Sequence, residues 1–345
     1  MGKKEAIYMN LRALGLLLLL ISFPAVTIAA PPPGIPDGWS DGYAYANGIR
    51  IHYWRPVPAP GKPTIVMVHG VTDIGLTFAR LAFKLQTNYD CYLLDTRGHG
   101  YSDAFTPSDN GDTLIKDVVE FVHKMKIEKP ILLGHSMGAA TVMRIGAEYP
   151  DLARAIIMLD PGLPRAGGAG APGGRRGGPA TAPGAVAGRG APGRGPGRGA
   201  GRGAAPSTSP TLSFPMFGDP DALVASNNYK FEEVVALAQR QNPKWDLVDD
   251  EYWALAKKLY HGAFSNEGQQ AMSGSMATGD SLAKITVPAL ILKADASPDV
   301  RKAHEEAAKV MQKGTFVHID GAAHNVHRDQ LDRCIQELTS FLSKL

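Results

Sequence analysis

Cysteine is nearly absent from this chain of 345 residues, with two in all, so no disulfide framework staples it and a folded state must rest on a buried core. Long apolar runs are missing except near the N-terminus. There is no H-E-x-x-H and no closely spaced cysteine pair, which leaves metal catalysis without support. No G-x-G-x-x-G stands at a strand–helix junction with an acid following, so no dinucleotide cofactor is expected. The 44% of hydrophobic and 20% of charged residues supply enough apolar side chain for a sizeable core. They also exclude a collagen and a wholly disordered chain.

Acidic residues are missing altogether from residues 165–206, which hold 16 Gly, 11 Ala, 7 Arg and 6 Pro. Such a stretch has almost nothing to bury and is expected to be disordered. It also lacks aromatic residues, so it has nothing to stack on bases, and it reads as a tolerated loop expansion rather than an RNA-binding arm. Setting it and the first twelve residues aside turns the formal net charge of +3 into −6, with 26 basic and 32 acidic residues. Net charge therefore gives no argument for a nucleic-acid partner.

The N-terminus has the layout of a secretory signal: basic residues up to Arg12, an apolar stretch from Ala13 to Phe23, then small residues at Thr27 and Ala29. Cleavage after Ala29 would export the chain to the periplasm or the medium. The competing reading, an uncleaved anchor over residues 13–30, is disfavoured because the apolar core is shorter than the ~20 residues of a spanning helix and Pro24 interrupts its end.

From residue 45 to 160 short apolar runs alternate with amphipathic ones. Ile49–Trp54, Thr64–Val68, Cys91–Leu94, Ile131–Leu133 and Ala155–Leu159 read as strands. Thr77–Gln86, Thr113–Met125 and Ala139–Glu148 read as helices. The alternation resumes with strand Val287–Lys293, helix Val300–Gln312, strand Thr315–Ile319 and a closing helix Val326–Leu345. This predicts an α/β fold, a mostly parallel sheet with helices on both faces, in two pieces, 30–162 and 286–345. The intervening 163–285, with predicted helices Phe231–Arg240 and Asp250–Tyr260, reads as a helical cap. Cys91 and Cys334 read as core thiols, with a disulfide between them left open by the sequence.

The sharpest signal is Gly134-His135-Ser136-Met137-Gly138, a G-x-S-x-G between an apolar run and a helix. A serine on a tight strand-to-helix turn is exposed at the sheet's carboxyl edge, and small residues two before and two after it let backbones crowd there. Ser136 is thus the candidate nucleophile. His324, in a loop between the last strand and the last helix, is the candidate base; its rival His327 is expected in the helix, pointing away.

With these motifs the chain resembles the α/β-hydrolases of the capped, single-domain kind. His69-Gly70 follows one strand, Asp95-Thr96-Arg97-Gly98-His99-Gly100-Tyr101-Ser102 follows the next, then come the G-x-S-x-G and a final Gly321-Ala322-Ala323-His324, in which alanine replaces the family's glycine before the histidine. The resemblance implies backbone oxyanion donors at Met137 and Val71, with His69 and His99 bracing their loops. It also implies an acid beyond the strand Ala289–Lys293, where Asp295 ranks first; Asp160, in Leu159-Asp160-Pro161-Gly162, ranks second and Asp299 third. Asp73 either faces the pocket, favouring a polar or cationic group, or sits in a solvated loop. The expected activity is that of an exported serine esterase acting on a small or medium-sized carboxylic ester, without a cofactor. The alternatives are the same triad acting on an amide, thioester, lactone or C–C bond, a binding protein that keeps the fold, and an envelope protein working through its Arg/Gly arm. A serine at the elbow argues against the aspartate-nucleophile relatives, which form an alkyl-enzyme ester.

Overall fold

Asn47 and Gly48, both left-handed (φ 46° and 77°), form the two-residue turn that an Asn-Gly pair favours. The turn joins β1 (Ser40–Ala46) to β2 (Ile49–Arg55), antiparallel in the register Ala46↔Ile49 to Ser40↔Arg55. The computed structural model describes residues 33–163, 212, 214, 220–262, 266–274 and 280–345. The expected signal at 1–29 and the Gly/Arg-rich segment at 165–206 lie outside the described residues. Among the described residues no helix is long and apolar enough to cross a membrane.

Six further strands complete the sheet: β3 (Thr64–Val68), β4 (Asp90–Leu94), β5 (Ile131–His135), β6 (Ala155–Leu159), β7 (Ala289–Ala294) and β8 (Gly314–Ile319), in the spatial order β1-β2-β4-β3-β5-β6-β7-β8. From β4 to β8 every pairing is parallel. Strands β4, β5 and β6 are buried at every residue, because alternate side chains enter two different cores. Ile65, Met67, Leu93, Leu133 and Ile157 pack on one face with α1 (Ala79–Leu85) and the C-terminal α11 (Leu331–Leu342). Val66, Val68, Leu94, Leu132 and Ile156 pack on the other with α2 (Thr113–Lys124) and α3 (Met137–Glu148). Each such side chain contributes about 1.5–3 kcal/mol by leaving water.

Among the described residues, five helices intervene between β6 and β7: α4 (Pro220–Asn227), α5 (Phe231–Gln241), α6 (Leu247–Leu259), α7 (Asn266–Gly274) and α8 (Ser281–Lys284). Beyond β7 come α9 (Pro298–Ala308), α10 (Val326–Asp329) and α11. The closing helix expected as one piece is two, broken at Gln330, whose φ of −143° leaves the helical region. Cys91 and Cys334 are free buried thiols, and burial pushes each up to about 12.

The loop after β4 is built around buried charges. Arg97 donates to both carboxylate oxygens of Asp117 on α2 (2.8 and 3.0 Å), to Asp109 (2.8 Å) and to the Asn47 carbonyl (3.0 Å). One guanidinium thus joins the hairpin turn, the β4 loop and α2. Arg97→Met, which strands two buried carboxylates, should cost about 3–5 kcal/mol. Urea unfolding measures this, and a loss under ~1 kcal/mol would show that the network carries no stability.

Candidate active site

Ser136 follows β5 with φ 53° and ψ −110°, a conformation that costs an ordinary residue about 1–3 kcal/mol. Two contacts hold it there. The Ser136 N–H donates to the Leu159 carbonyl (3.0 Å), and the Gly138 N–H donates to the His69 carbonyl (3.1 Å). A side chain at Gly138 would collide with the carbonyl of Val68, and one at Gly134 with the carbonyl of Gly138, so the small residues of the elbow are a packing requirement. The close approach starts α3 at Met137, two residues earlier than expected.

His324 lies in the loop between β8 and α10, and its Nε2 is 2.9 Å from Ser136 Oγ. Its Nδ1 donates to Asp160 Oδ2 at 2.5 Å, which leaves Nε2 to accept the seryl proton. The second-ranked acid, rather than the first, therefore faces the histidine. Asp160 ends β6 in a left-handed conformation (φ 45°), with its N–H on the Leu292 carbonyl (2.8 Å). Its other oxygen accepts from the Ala294 N–H (3.1 Å) and from the ammonium of Lys293. Burial alone would raise this carboxyl, but the His324 hydrogen bond and the Lys293 charge hold it well below the usual carboxylate range.

Asp295 does not reach His324. It accepts from Gly321 N–H (2.8 Å), Ala296 N–H (2.7 Å) and Arg301 (2.6 and 3.1 Å), and backbone hydrogen bonds with the Arg301 pair bring it down to about 2. Its own N–H donates to Ala322 (2.9 Å), so Asp295 braces the loop that carries the base instead of the base itself. Asp299 is exposed in the first turn of α9. The physical reason for the exchange is that β6 and β7 are neighbours, Leu159 opposite Leu292, so an acid beyond either strand approaches the same histidine. The sequence signal that could have favoured Asp160 is Lys293, a lysine within a buried strand that needs an anion.

Around the nucleophile the expected bracing residues are buried and neutral. His69 Nδ1 donates to the Gly70 carbonyl (2.7 Å) while its Nε2 accepts from Thr96 N–H (3.0 Å). His99 Nε2 accepts from Thr72 N–H (3.3 Å). Burial lowers both imidazoles. His135, the variable residue of the elbow, is pushed down to about 3 by burial and by His324, and its Nε2 lies 3.0 Å from the His324 carbonyl, to which it donates. His327 is buried against Phe78 and His135. Asp73 is neither solvated nor open to a cation: it is buried and paired with Arg328 (2.7 Å), with Lys257 of α6 at 4.0 Å. Burial would raise it, but these two cations bring it down to about 2. Neither Arg328 nor Lys257 was singled out from the sequence, since each meets its partner across more than 180 residues.

Several backbone N–H groups near the expected oxyanion donors are already engaged: Thr72 donates to His99, Asp73 to Gly70, Ser136 to Leu159 and Gly138 to His69, and none of these bonds uses the N–H of Val71 or Met137. Met137, Leu114 and Met272 form a small apolar cluster with Val71 and Phe105 beside them. Among the described residues no group of three or more His, Cys, Asp or Glu side chains is placed to hold a metal ion.

Because the folded state holds Asp160 ionised, its contribution to stability is present above the unfolded carboxyl value of about 4 and fades as pH falls through the lower folded value. Lys293→Met brings that folded value back towards the unfolded one, so the variant should lose less stability than the wild type as pH falls from about 5 to about 2. Urea titrations between pH 2 and 7 test this, and parallel curves for the two proteins would refute it.

Comparisons with known proteins agree with the fold. N-formylmaleamate deformylase of Pseudomonas putida KT2440 is 34% identical over 122 residues, which are 35% of this chain and 44% of that one, so the match spans less than half of the relative. Epoxide hydrolase 1 of Caenorhabditis elegans is 21% identical over 90% of this chain and 72% of its own. Among solved structures, N-formylmaleamic acid deformylase from Pseudomonas putida S16 has a TM-score of 0.56 at 20% identity, covering 87% of this chain and 100% of that one. The enol-lactonase of Burkholderia xenovorans LB400 has a TM-score of 0.56 at 19% identity, covering 88% and 100%. Both structures bear on the fold alone. The alpha/beta hydrolase family model matches residues 65–337, most of the chain and nearly all of the sheet beyond the hairpin, and the chain belongs to that family of enzymes.

Proposed function

We propose that the protein is a serine hydrolase that cleaves an acyl bond through an acyl-enzyme. The observation that carries the proposal is the unbroken hydrogen-bonded line from Asp160 through His324 to Ser136 Oγ. Ser136 attacks the carbonyl carbon as His324 Nε2 takes its proton, and Asp160 stabilises the imidazolium that forms. The N–H groups of Val71 and Met137 receive the developing oxyanion; loss of one such donor typically costs ~100-fold in turnover. His324 returns the proton to the leaving group, and water, activated by the same histidine, releases the acid product.

For the bond, an amide ranks ahead of the plain carboxylic ester first expected. The support is the sequence likeness to N-formylmaleamate deformylase and to 2-(acetamidomethylene)succinate hydrolase of Mesorhizobium japonicum, 30% identical over 98 residues. Epoxide opening is not proposed, despite the match to an epoxide hydrolase, because serine at position 136 cannot form the alkyl-enzyme ester. The reading also includes export by residues 1–29, with 163–285 as the cap. N-terminal sequencing of the secreted protein should then begin at Ala30, and a mature chain that retains Met1 would overturn the export claim.

The test is labelling with a fluorophosphonate beside a panel of p-nitrophenyl esters, N-acyl amides, a thioester and lactones. Labelling should vanish in Ser136→Ala. Asp160→Asn should lower kcat by about 10³–10⁴-fold, as expected when the histidine loses its orienting anion, while Asp295→Asn should cost under ~10-fold. A folded wild-type protein that takes up no label would sink the proposal. Equal losses in the two aspartate variants would sink the assignment of the acid.

A further inference from the structure

Thr72 stands immediately after the proposed oxyanion donor Val71 and has a left-handed backbone (φ 61°), an outlying conformation for a β-branched residue. Each of its polar groups is tied. Its N–H donates to His99 Nε2 (3.3 Å), and its carbonyl (3.0 Å) and its hydroxyl oxygen both accept from the ammonium of Lys257. Lys257 does not belong to the hydrolase core. It is carried by α6 of the insertion, where its ammonium also lies 4.7 Å from the Trp253 ring.

We propose that Lys257 is a positioning residue: an ammonium supplied by the inserted helices that holds Thr72, and through it the Val71 N–H, in the orientation that receives the oxyanion. The proposal rests on the serine-hydrolase reading above and on Val71 as a donor.

Three observations favour this over a merely structural anchor. First, the ammonium is spent on the single left-handed residue beside the donor, rather than on an ordinary stretch of loop. Secondly, the charge is expensive where it lies. The carboxylate nearest Lys257, Asp73 at 4.0 Å, lies closer to Arg328 (2.7 Å), and the buried Asp249 and Asp250 also act on Arg328. Burial, opposed by Asp73 and reinforced by Arg328, brings the lysine down to about 8. A neutral residue of the same size would avoid that burial cost, whereas a positive charge under an oxyanion loop favours the transition state, in which negative charge develops. Thirdly, the insertion has other anchors on the rest of the protein, Arg80 to Asp249 (2.7 Å) and Tyr252 to the Gly34 carbonyl (3.1 Å). Lys257 is not needed simply to attach α6.

The experiment compares wild type, Lys257→Met and Arg80→Met in full-length protein. It measures kcat and KM on p-nitrophenyl acetate and the second-order rate of fluorophosphonate labelling, with melting temperatures alongside. Lys257→Met should lower kcat and the labelling rate by about 10–100-fold with KM within about threefold, the pattern of a lost transition-state contact. Arg80→Met, which cuts a different anchor of the same helix, should stay within about threefold of wild type in kcat. Unchanged kcat in folded Lys257→Met would overturn the proposal, and so would equal losses in the two variants, which would reduce Lys257 to one anchor among several. If Lys257→Met does not fold, Thr72→Val removes only the hydroxyl contact and should still lower kcat at least fivefold; full activity there overturns the proposal as well. A wild-type protein that takes up no label tells against the hydrolase reading itself, a result distinct from a labelled wild type with an indifferent Lys257→Met.

Discussion

No side chain fits at Gly138, the second residue of α3. Gly138 lies against the Val68 carbonyl and donates to that of His69, so the nucleophile's helix and the end of β3 are locked at backbone distance. Everything chemical depends on that approach. It sets the turn at Ser136, and the Gly70 backbone lies close against the serine side chain. It also directs the N-terminal end of α3, with its partial positive charge, towards the place where an oxyanion would form. The parallel register does the rest. β3, β5, β6 and β7 end on one edge, so the loop proposed to receive the oxyanion, the proposed nucleophile Ser136, Asp160 and Lys293 arrive from four adjacent strands.

The arrangement is bought with backbone strain. Thr72, Ser136 and Asp160 all have positive φ, and each of them is tied down by neighbours: Thr72 by His99 and Lys257, Ser136 by Leu159, Asp160 by Leu292 and Ala294. Two fully packed cores on either side of the sheet supply the excess stability that such residues need. The buried cations follow a similar logic. Lys293 faces Asp160, and Arg328 and Lys257 share Asp73.

The sheet was legible because its parallel strands are uninterrupted apolar runs; Thr64–Val68 and Ala155–Leu159 were read with the bounds they have. β1 was not read, since Ser40-Asp41-Gly42-Tyr43-Ala44-Tyr45-Ala46 offers small and polar residues whose strand character comes from pairing with β2. The break at Gln330 was invisible to helical periodicity, which continues across it. In the site, Ser136 and His324 carry local signatures, a turn between glycines and a loop before the last helix. The acid carries none. An aspartate after β6 and one after β7 look alike in one dimension, and what separates Asp160 from Asp295 is their partners: Lys293 and His324, 133 and 164 residues further on, for the first, Arg301 and Gly321 for the second. Lys257 escaped notice for the same reason, because a lysine on an amphipathic helix has the ordinary look of a solvated face.

The contact between Lys293 and the carbonyl of Pro161 has a consequence for how this chain could have diversified. Pro161 is the residue after Asp160, and the insertion begins just beyond it. By gripping both the carboxylate and the next peptide, Lys293 works like the collar that relieves pull on a cable where it enters a housing. Pull from the chain beyond Pro161 is taken up one residue short of Asp160. A stretch of 42 residues made almost wholly of Gly, Ala, Arg and Pro can therefore start at Arg165, five positions from a carboxylate that must stay within hydrogen-bonding distance of its histidine. The collar separates the part of the sequence free to drift from the part that is not.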